Sequence, residues 1–118
     1  MKEFLLVFRR DLAQPDVQPS PEQFQIMAKQ WQDWIGNLSA KNKFSSAGKR
    51  LSFEGKVVRT DKTVTNGPYV ELKEAVQGYM FLFADDIDEA TELAKGCPIL
   101  LYNGNVEIRP IMSADGKS

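Results

Sequence analysis

The chain has 118 residues, 42% of them hydrophobic and 26% charged, and its 15 basic and 16 acidic side chains leave a net charge of -1. That length suits one domain with a modest core, here placed over residues 1-112 with a polar tail at 113-118. Its balanced charge gives no electrostatic footprint for nucleic acid or for an anionic membrane surface. A lone cysteine, Cys97, excludes an internal disulfide and is insufficient for a metal cluster, and no apolar run nears the ~18 residues of a membrane span, so a reduced, cytoplasmic protein is expected.

Phe4 to Phe8 is a continuous apolar run of strand-forming residues. It is shorter than the roughly 7 to 15 residues of a leader's apolar segment, and Arg9-Arg10-Asp11 ends it without a small-residue cleavage site. A strand is expected, with Phe4, Leu6 and Phe8 on one face and Leu5 and Val7 on the other, both covered. Asp11 to Pro19, with Pro15 and Pro19, reads as a loop. Ser20-Pro21-Glu22-Gln23 then starts a helix: Ser20 as N-cap, Pro21 in the first helical position and Gln23 closing a capping box. Phe24, Met27, Ala28, Trp31, Ile35 and Leu38 recur at helical spacing, which predicts about five turns ending near Ala40 to Asn42, with Trp31 in the core. Lys41 and Lys43 suit the helix's carboxyl end.

From Phe44 to Thr65 the pattern changes to short strand-like pieces over Phe44 to Ala47, Lys49 to Phe53, Lys56 to Thr60 and Thr63 to Thr65, with turns at Glu54-Gly55 and Asp61-Lys62. Their alternation predicts a meander with one wet face. Asn66-Gly67-Pro68 carries turn residues and no hydrophobic period, and leads through Tyr69 to Gly78 into Tyr79-Met80-Phe81-Leu82-Phe83-Ala84, a second strand apolar on both faces. Asp86 then caps a second helix, with Glu89 beyond it and Ile87, Ala90, Leu93 and Ala94 as its apolar stripe, stopped by Lys95-Gly96 and Pro98. The carboxylates Asp85 and Asp86 are explained by the helix start. Ile99 to Tyr102 is expected as a short strand, Asn103-Gly104 as a hairpin turn and Val106 to Ile111 as a strand whose Pro110 favours a sheet edge.

This order is that of a βαββαβ, ferredoxin-like α+β fold: an antiparallel sheet with two helices on one face. Two strands apolar on both sides would then expose a large patch, so a second copy is expected against the open sheet face, as a homodimer.

The chain resembles the YCII-related family in its DGPF-motif branch. The resemblance rests on the aliphatic first strand, Ser20-Pro21-Glu22, Thr65-Asn66-Gly67-Pro68-Tyr69 with Glu71, Lys73 and Glu74, Gly78-Tyr79, Asp85 to Ala90, Gly96-Cys97-Pro98 and Val106 to Ile111. It implies a dimeric α/β barrel. Asn66 stands where the family's signature has an acid, and Tyr69 where it has phenylalanine. Relatives similar to dehydrochlorinases of chlorinated hydroquinones pair a histidine with an aspartate, and this chain has no histidine.

A general base near neutrality would therefore be a carboxylate raised by burial, a lysine lowered by burial, or Cys97. Cys97 sits at the negative end of a helix, which raises its pKa, and reads as structural. No phosphate loop, metal-spaced ligand set or nucleophile elbow occurs, so no metal, nucleotide or other cofactor is expected. The loop read structurally is a turn flanked by solvated charges. Read functionally, Asn66, Tyr69, Glu71 and Lys73 stand at the mouth of a cavity between sheet and helices, with Arg50 or Arg109 as the cation for a small aromatic or anionic ligand. Two functions follow. One is a non-enzymatic binding or interaction homodimer, as the association of some relatives with alternative sigma factors implies. The alternative is a cofactor-independent lyase or oxygenase acting on a phenolic or quinol-like substrate, as other dimeric α/β barrels suggest.

Overall fold

A computed structural model describes residues 1-10, 20-52, 54-67 and 75-113. Its elements are β1 (Lys2–Arg10), α1 (Pro21–Ala40), β2 (Phe44–Arg50), β3 (Gly55–Val58), β4 (Val64–Gly67), β5 (Ala75–Ala84), α2 (Ile87–Ala94), a 3-10 turn (Pro98–Tyr102) and β6 (Gly104–Pro110). Four strands form an antiparallel sheet in the order β2-β5-β1-β6, and β3 pairs with β4 separately. With both helices on one face of that sheet, the fold is ferredoxin-like.

The two strands with continuous apolar runs, β1 and β5, lie side by side at the centre, with Leu6 opposite Met80 and Phe4 opposite Leu82. Alternation sends Phe4, Leu6, Phe8, Met80, Leu82 and Ala84 toward the helices. There they meet Trp34 and Leu38 of α1, Ala90 and Ala94 of α2, and Cys97 and Ile99 beyond it, in one cluster. Leu6 and Leu82 are wholly buried. Burial of a leucine stabilises by about 1.5 to 3 kcal/mol, so these central pairs hold the sheet to its helical layer.

Both helices begin as their sequences require. Ser20 Oγ accepts from the Gln23 N–H (3.2 Å) while Gln23 Oε1 accepts from the Ser20 N–H (2.8 Å). Asp86 Oδ1 accepts from the Glu89 N–H (2.8 Å), and Glu89 Oε1 takes the Asp85 N–H (3.0 Å) and the Lys43 ammonium (2.6 Å). The Lys43 hydrogen bond holds the Glu89 carboxyl below the ordinary glutamate value, and the same bond raises the Lys43 pKa. Trp34 Nε1 donates to the Leu93 carbonyl (3.1 Å), tying the helices together.

Several local expectations are corrected. The apolar stripe of α1 is rotated slightly from that expected: Leu38 lies in the core and Trp31 and Ile35 pack against it as expected, but Trp34 is buried too, while Phe24 and Ala28 face solvent. Trp31 sits edge-on to Phe8 at 5.2 Å and to Trp34 at 5.7 Å between ring centroids. Ile87, expected in the α2 stripe, is 45% exposed. The segment expected as a strand over Ile99 to Tyr102 is the 3-10 turn. The Leu100 N–H bonds to the Cys97 carbonyl, Ile99 turns inward while Leu100 and Leu101 turn outward, and Asn103 ends the turn with a left-handed φ of 61°. A short apolar run has no period that separates strand from tight helix. Asn66, expected in a turn, is extended in β4 opposite Lys56, and β3 and β4 stand apart from the meander expected for them.

The two strand pieces expected before and after Gly48 are one strand, β2, with a bulge. Its register against β5 shifts between Phe44 and Ser46 and again between Ser46 and Lys49, and Gly48 takes a φ of +61°. A Cβ there would lie 1.9 Å from the Tyr79 carbonyl oxygen. Gly36, by contrast, sits on the solvent side of α1 with nothing within 4 Å of an added Cβ. Two substitutions of one kind should therefore move stability in opposite directions in urea unfolding. Gly48→Ala should destabilise by about 2 kcal/mol or more, from left-handed strain plus the clash. Gly36→Ala should stabilise by about 0.5 to 1 kcal/mol.

Candidate functional site

The alternation that fills the core sends a second set of side chains to the other side of the sheet. Glu3, Leu5, Val7 and Arg9 of β1 share that face with Tyr79, Phe81 and Phe83 of β5 and with Glu107 and Arg109 of β6. The register lays them in rows. Arg109, Leu5 and Phe81 form one, and Glu107, Val7 and Tyr79 the next. Tyr79 and Phe81 stack edge to face, with centroids 6.0 Å apart. The apolar members are half-buried, and among the described residues no helix packs on this side.

Charge is confined to the borders of the face. At the β6 border Arg9 Nη1 donates to Glu107 Oε1 (2.5 Å) and Arg109 Nη1 to Glu107 Oε2 (3.4 Å), so each carboxylate oxygen serves one guanidinium. The Arg9 hydrogen bond is the main reason that the Glu107 carboxyl lies below the ordinary glutamate value. Two cations on one carboxylate leave this border with an excess positive charge. Near the other end of the face Ser45 Oγ donates to Glu3 Oε2 (2.6 Å). The face thus has an aliphatic and aromatic centre, a basic edge, and hydrogen-bonding groups at its border.

The six residues expected as a ligand site do not converge as a set. Tyr69, Glu71 and Lys73 lie outside the described residues. Asn66 is exposed on the β3-β4 hairpin, and Arg50 is exposed at the end of β2 opposite Gly78. Arg109 belongs to the open face, on β6. Since β2 and β6 are the two outer strands of the sheet, Arg50 and Arg109 are separated by three strand spacings, about 14 Å. The space between sheet and helices, where those residues were to meet a ligand, is occupied by the core side chains themselves. A shallow groove of about 400 Å³ lies instead outside that core, between α1 and the 3-10 turn, lined among others by Asp33, Trp34, Asn37, Lys95 and Leu101.

Arg9 and Glu107 escaped the reading of the sequence as site residues. Parity along β1 was their signal: Arg9 follows Leu5 and Val7 on the same face. Its pairing with Glu107 depends on which strand lies beside β1, and that is a property of the topology. Cys97 is 2% exposed, and burial pushes its thiol pKa up to about 12, so it is no nucleophile at neutral pH.

The model of the YCII-related domain matches residues 12-115. The chain belongs to the YCII-related family. We found no match among curated proteins. The YCII-related domain thus takes in α1, α2 and all the strands after β1, including the β5 and β6 contributions to the open face.

The pairing of Glu107 contributes to the acid response of this YCII-related domain. A carboxyl whose folded pKa is depressed contributes stability that is present above its unfolded pKa, near 4.5, and lost as pH falls through the folded value. Because the pair is partly exposed and screened, the contribution is about 1 kcal/mol or less. Urea unfolding of wild type and Glu107→Gln should show a stability gap that is constant from pH 7 to 5, narrows below 4.5 and shrinks in high salt.

Proposed function

We propose that this YCII-related protein is a non-enzymatic binding or interaction protein that works as a homodimer, its two sheets packed face to face. The observation that carries the reading is the open sheet face. Leu5, Val7, Tyr79, Phe81 and Phe83 form a continuous apolar surface on the side of the sheet away from the helices. Large contiguous apolar patches on soluble proteins mark interaction surfaces, and a two-fold axis lets the same patch serve as both partners. The Arg9-Glu107-Arg109 border then falls at the rim of the interface, where polar groups keep their water.

The basic border beside Tyr79 and Phe81 also suits a small aromatic or anionic ligand at the edge of the dimer, with Arg109 as its cation. The alternative of a lyase or oxygenase acting on a phenol or quinol needs a proton acceptor facing an enclosed space. Buried side chains among the described residues are all apolar, and the space between sheet and helices is filled, which supports the binding reading. Thr65-Asn66-Gly67-Pro68-Tyr69 supports a place in the DGPF-motif branch, and the lone reduced cysteine supports a cytoplasmic location.

Light scattering coupled to gel filtration at about 10 micromolar protein should give the mass of two chains, and Phe81→Asp, which sets a charge in the centre of the apolar face, should raise the dimer dissociation constant about a hundredfold or more. A monomeric wild type would sink the reading. In a thermal-shift screen, aromatic acids that raise the melting temperature of wild type should lose most of that effect in Arg109→Gln.

A further inference from the structure

In the connection between β2 and β5, β3 and β4 form a hairpin separate from the four-stranded sheet. β3 and β4 pair from Gly55 opposite Gly67 to Val58 opposite Val64. The Arg59 N–H bonds to the Thr63 carbonyl (2.8 Å), and Asp61 Oδ1 accepts from both the N–H (3.0 Å) and the hydroxyl (2.6 Å) of Thr63. Beyond this pairing the hairpin packs substantially on no other element among the described residues. A lone two-stranded hairpin is marginal in water. Consistent with a projecting element, the radius of gyration is 16.0 Å, where a compact chain of this length has about 13.5 Å.

The hairpin's surface is that of a docking element. Val58 and Val64, directly opposed, are 68% and 56% exposed, an apolar pair facing solvent. Lys56, Arg59 and Lys62 surround it, all exposed, and the neighbouring carboxylate, Asp61, is already engaged by Thr63. A surface that fits is one with an exposed aliphatic residue ringed by acids. The chain carries one at the corner between β5 and α2. There Ile87 is 45% exposed, and Asp85, Asp86 and Asp88 beside it are exposed as well.

Within one chain the hairpin and this corner lie at opposite ends of β5. The hairpin leaves the sheet where the Leu51 N–H bonds to the Gln77 carbonyl, and the corner follows Ala84. Sheets stacked face to face about a two-fold axis that crosses the strands run antiparallel to each other. That arrangement sets the hairpin end of each sheet above the α2 end of the other. We propose that the β3-β4 hairpin of each protomer clasps the β5-α2 corner of a second copy, Val58 and Val64 against Ile87 and the cations Arg59 and Lys62 against Asp85 and Asp88. The inference rests on the homodimer proposed above and adds to it the segment that locks it.

Charge reversal tests the clasp by sedimentation equilibrium near physiological salt. Arg59→Glu with Lys62→Glu should weaken the dimer about tenfold or more, as should Asp85→Lys with Asp88→Lys, because each turns attraction into repulsion at two symmetric sites. All four changes in one chain should restore the affinity to within about threefold of wild type. Circular dichroism checks that each variant is folded. Independently of any charge change, a photoreactive benzoylphenylalanine in place of Val64 should cross-link to the partner's peptide containing residues 85-88. Unchanged affinity in either double variant, no recovery in the fourfold one, or cross-links confined to other positions would overturn the clasp. A dimer that Phe81→Asp dissociates but charge reversal does not touch overturns the clasp alone, whereas a monomeric wild type overturns the homodimer and the clasp together.

Discussion

Everything in this molecule follows from the pairing of two strands that are apolar on both sides. β1 and β5 lie together at the middle of the sheet, and each must hide two faces. The helices answer for one of them: Trp34, Leu38, Ala90 and Ala94 close over Phe4, Leu6, Phe8, Met80, Leu82 and Ala84. Leu5, Val7, Tyr79, Phe81 and Phe83 on the other face are half-buried, and no described helix packs over them. Apolar surface removed from water stabilises by roughly 25 cal/mol per Å², so covering that face would outweigh a typical hydrogen bond.

Interior and exterior of the sheet are coupled through the outer strands. β2 bulges at Gly48 to pass the Tyr79 carbonyl, so its pairing with β5 is irregular along the strand whose outward aromatics form the centre of the open face. Bulges at an edge also blunt it against pairing with other chains. β6 closes the opposite edge and carries Glu107, which holds two arginines on the outward side while Val106 and Ile108 pack inward. Each outer strand therefore does one job for the core and another for the exposed surface, and the period of two keeps the jobs apart.

Much of this was legible in the residues, because the signals were local. Ser20 with Gln23 and Asp86 with Glu89 specify helix starts through hydrogen bonds that span three residues. Continuous apolar runs in β1 and β5 specify interior strands, since apolar side chains on both faces gain cover from strands on either side. What was not legible depended on partners distant in sequence. The stripe of α1 turned toward Trp34 because the Leu93 carbonyl is there to take its indole N–H. The run after Cys97 coils because Pro98 opens a tight turn that Asn103 ends, with Ile99 inward. Arg50 and Arg109 look equivalent in the sequence, yet they stand on opposite edges of the sheet, separated by strand order and by register.

The ionisable groups that the structure describes are set by burial and by pairing. The chain has no histidine, and its one thiol is held protonated by burial. The described carboxyls whose pKa values move are pulled downward, Glu89 by Lys43 first, Glu107 by Arg9 first, and Asp61 by Thr63 first. General-base catalysis near neutrality calls for the opposite displacement, a carboxyl raised by burial or by a like charge. Carboxylates stabilised as anions are instead suited to fix the positions of cations, as Glu107 fixes Arg9 and Arg109. Screened ion pairs of this kind contribute little by themselves, so any cover for the face would draw its free energy from the apolar centre.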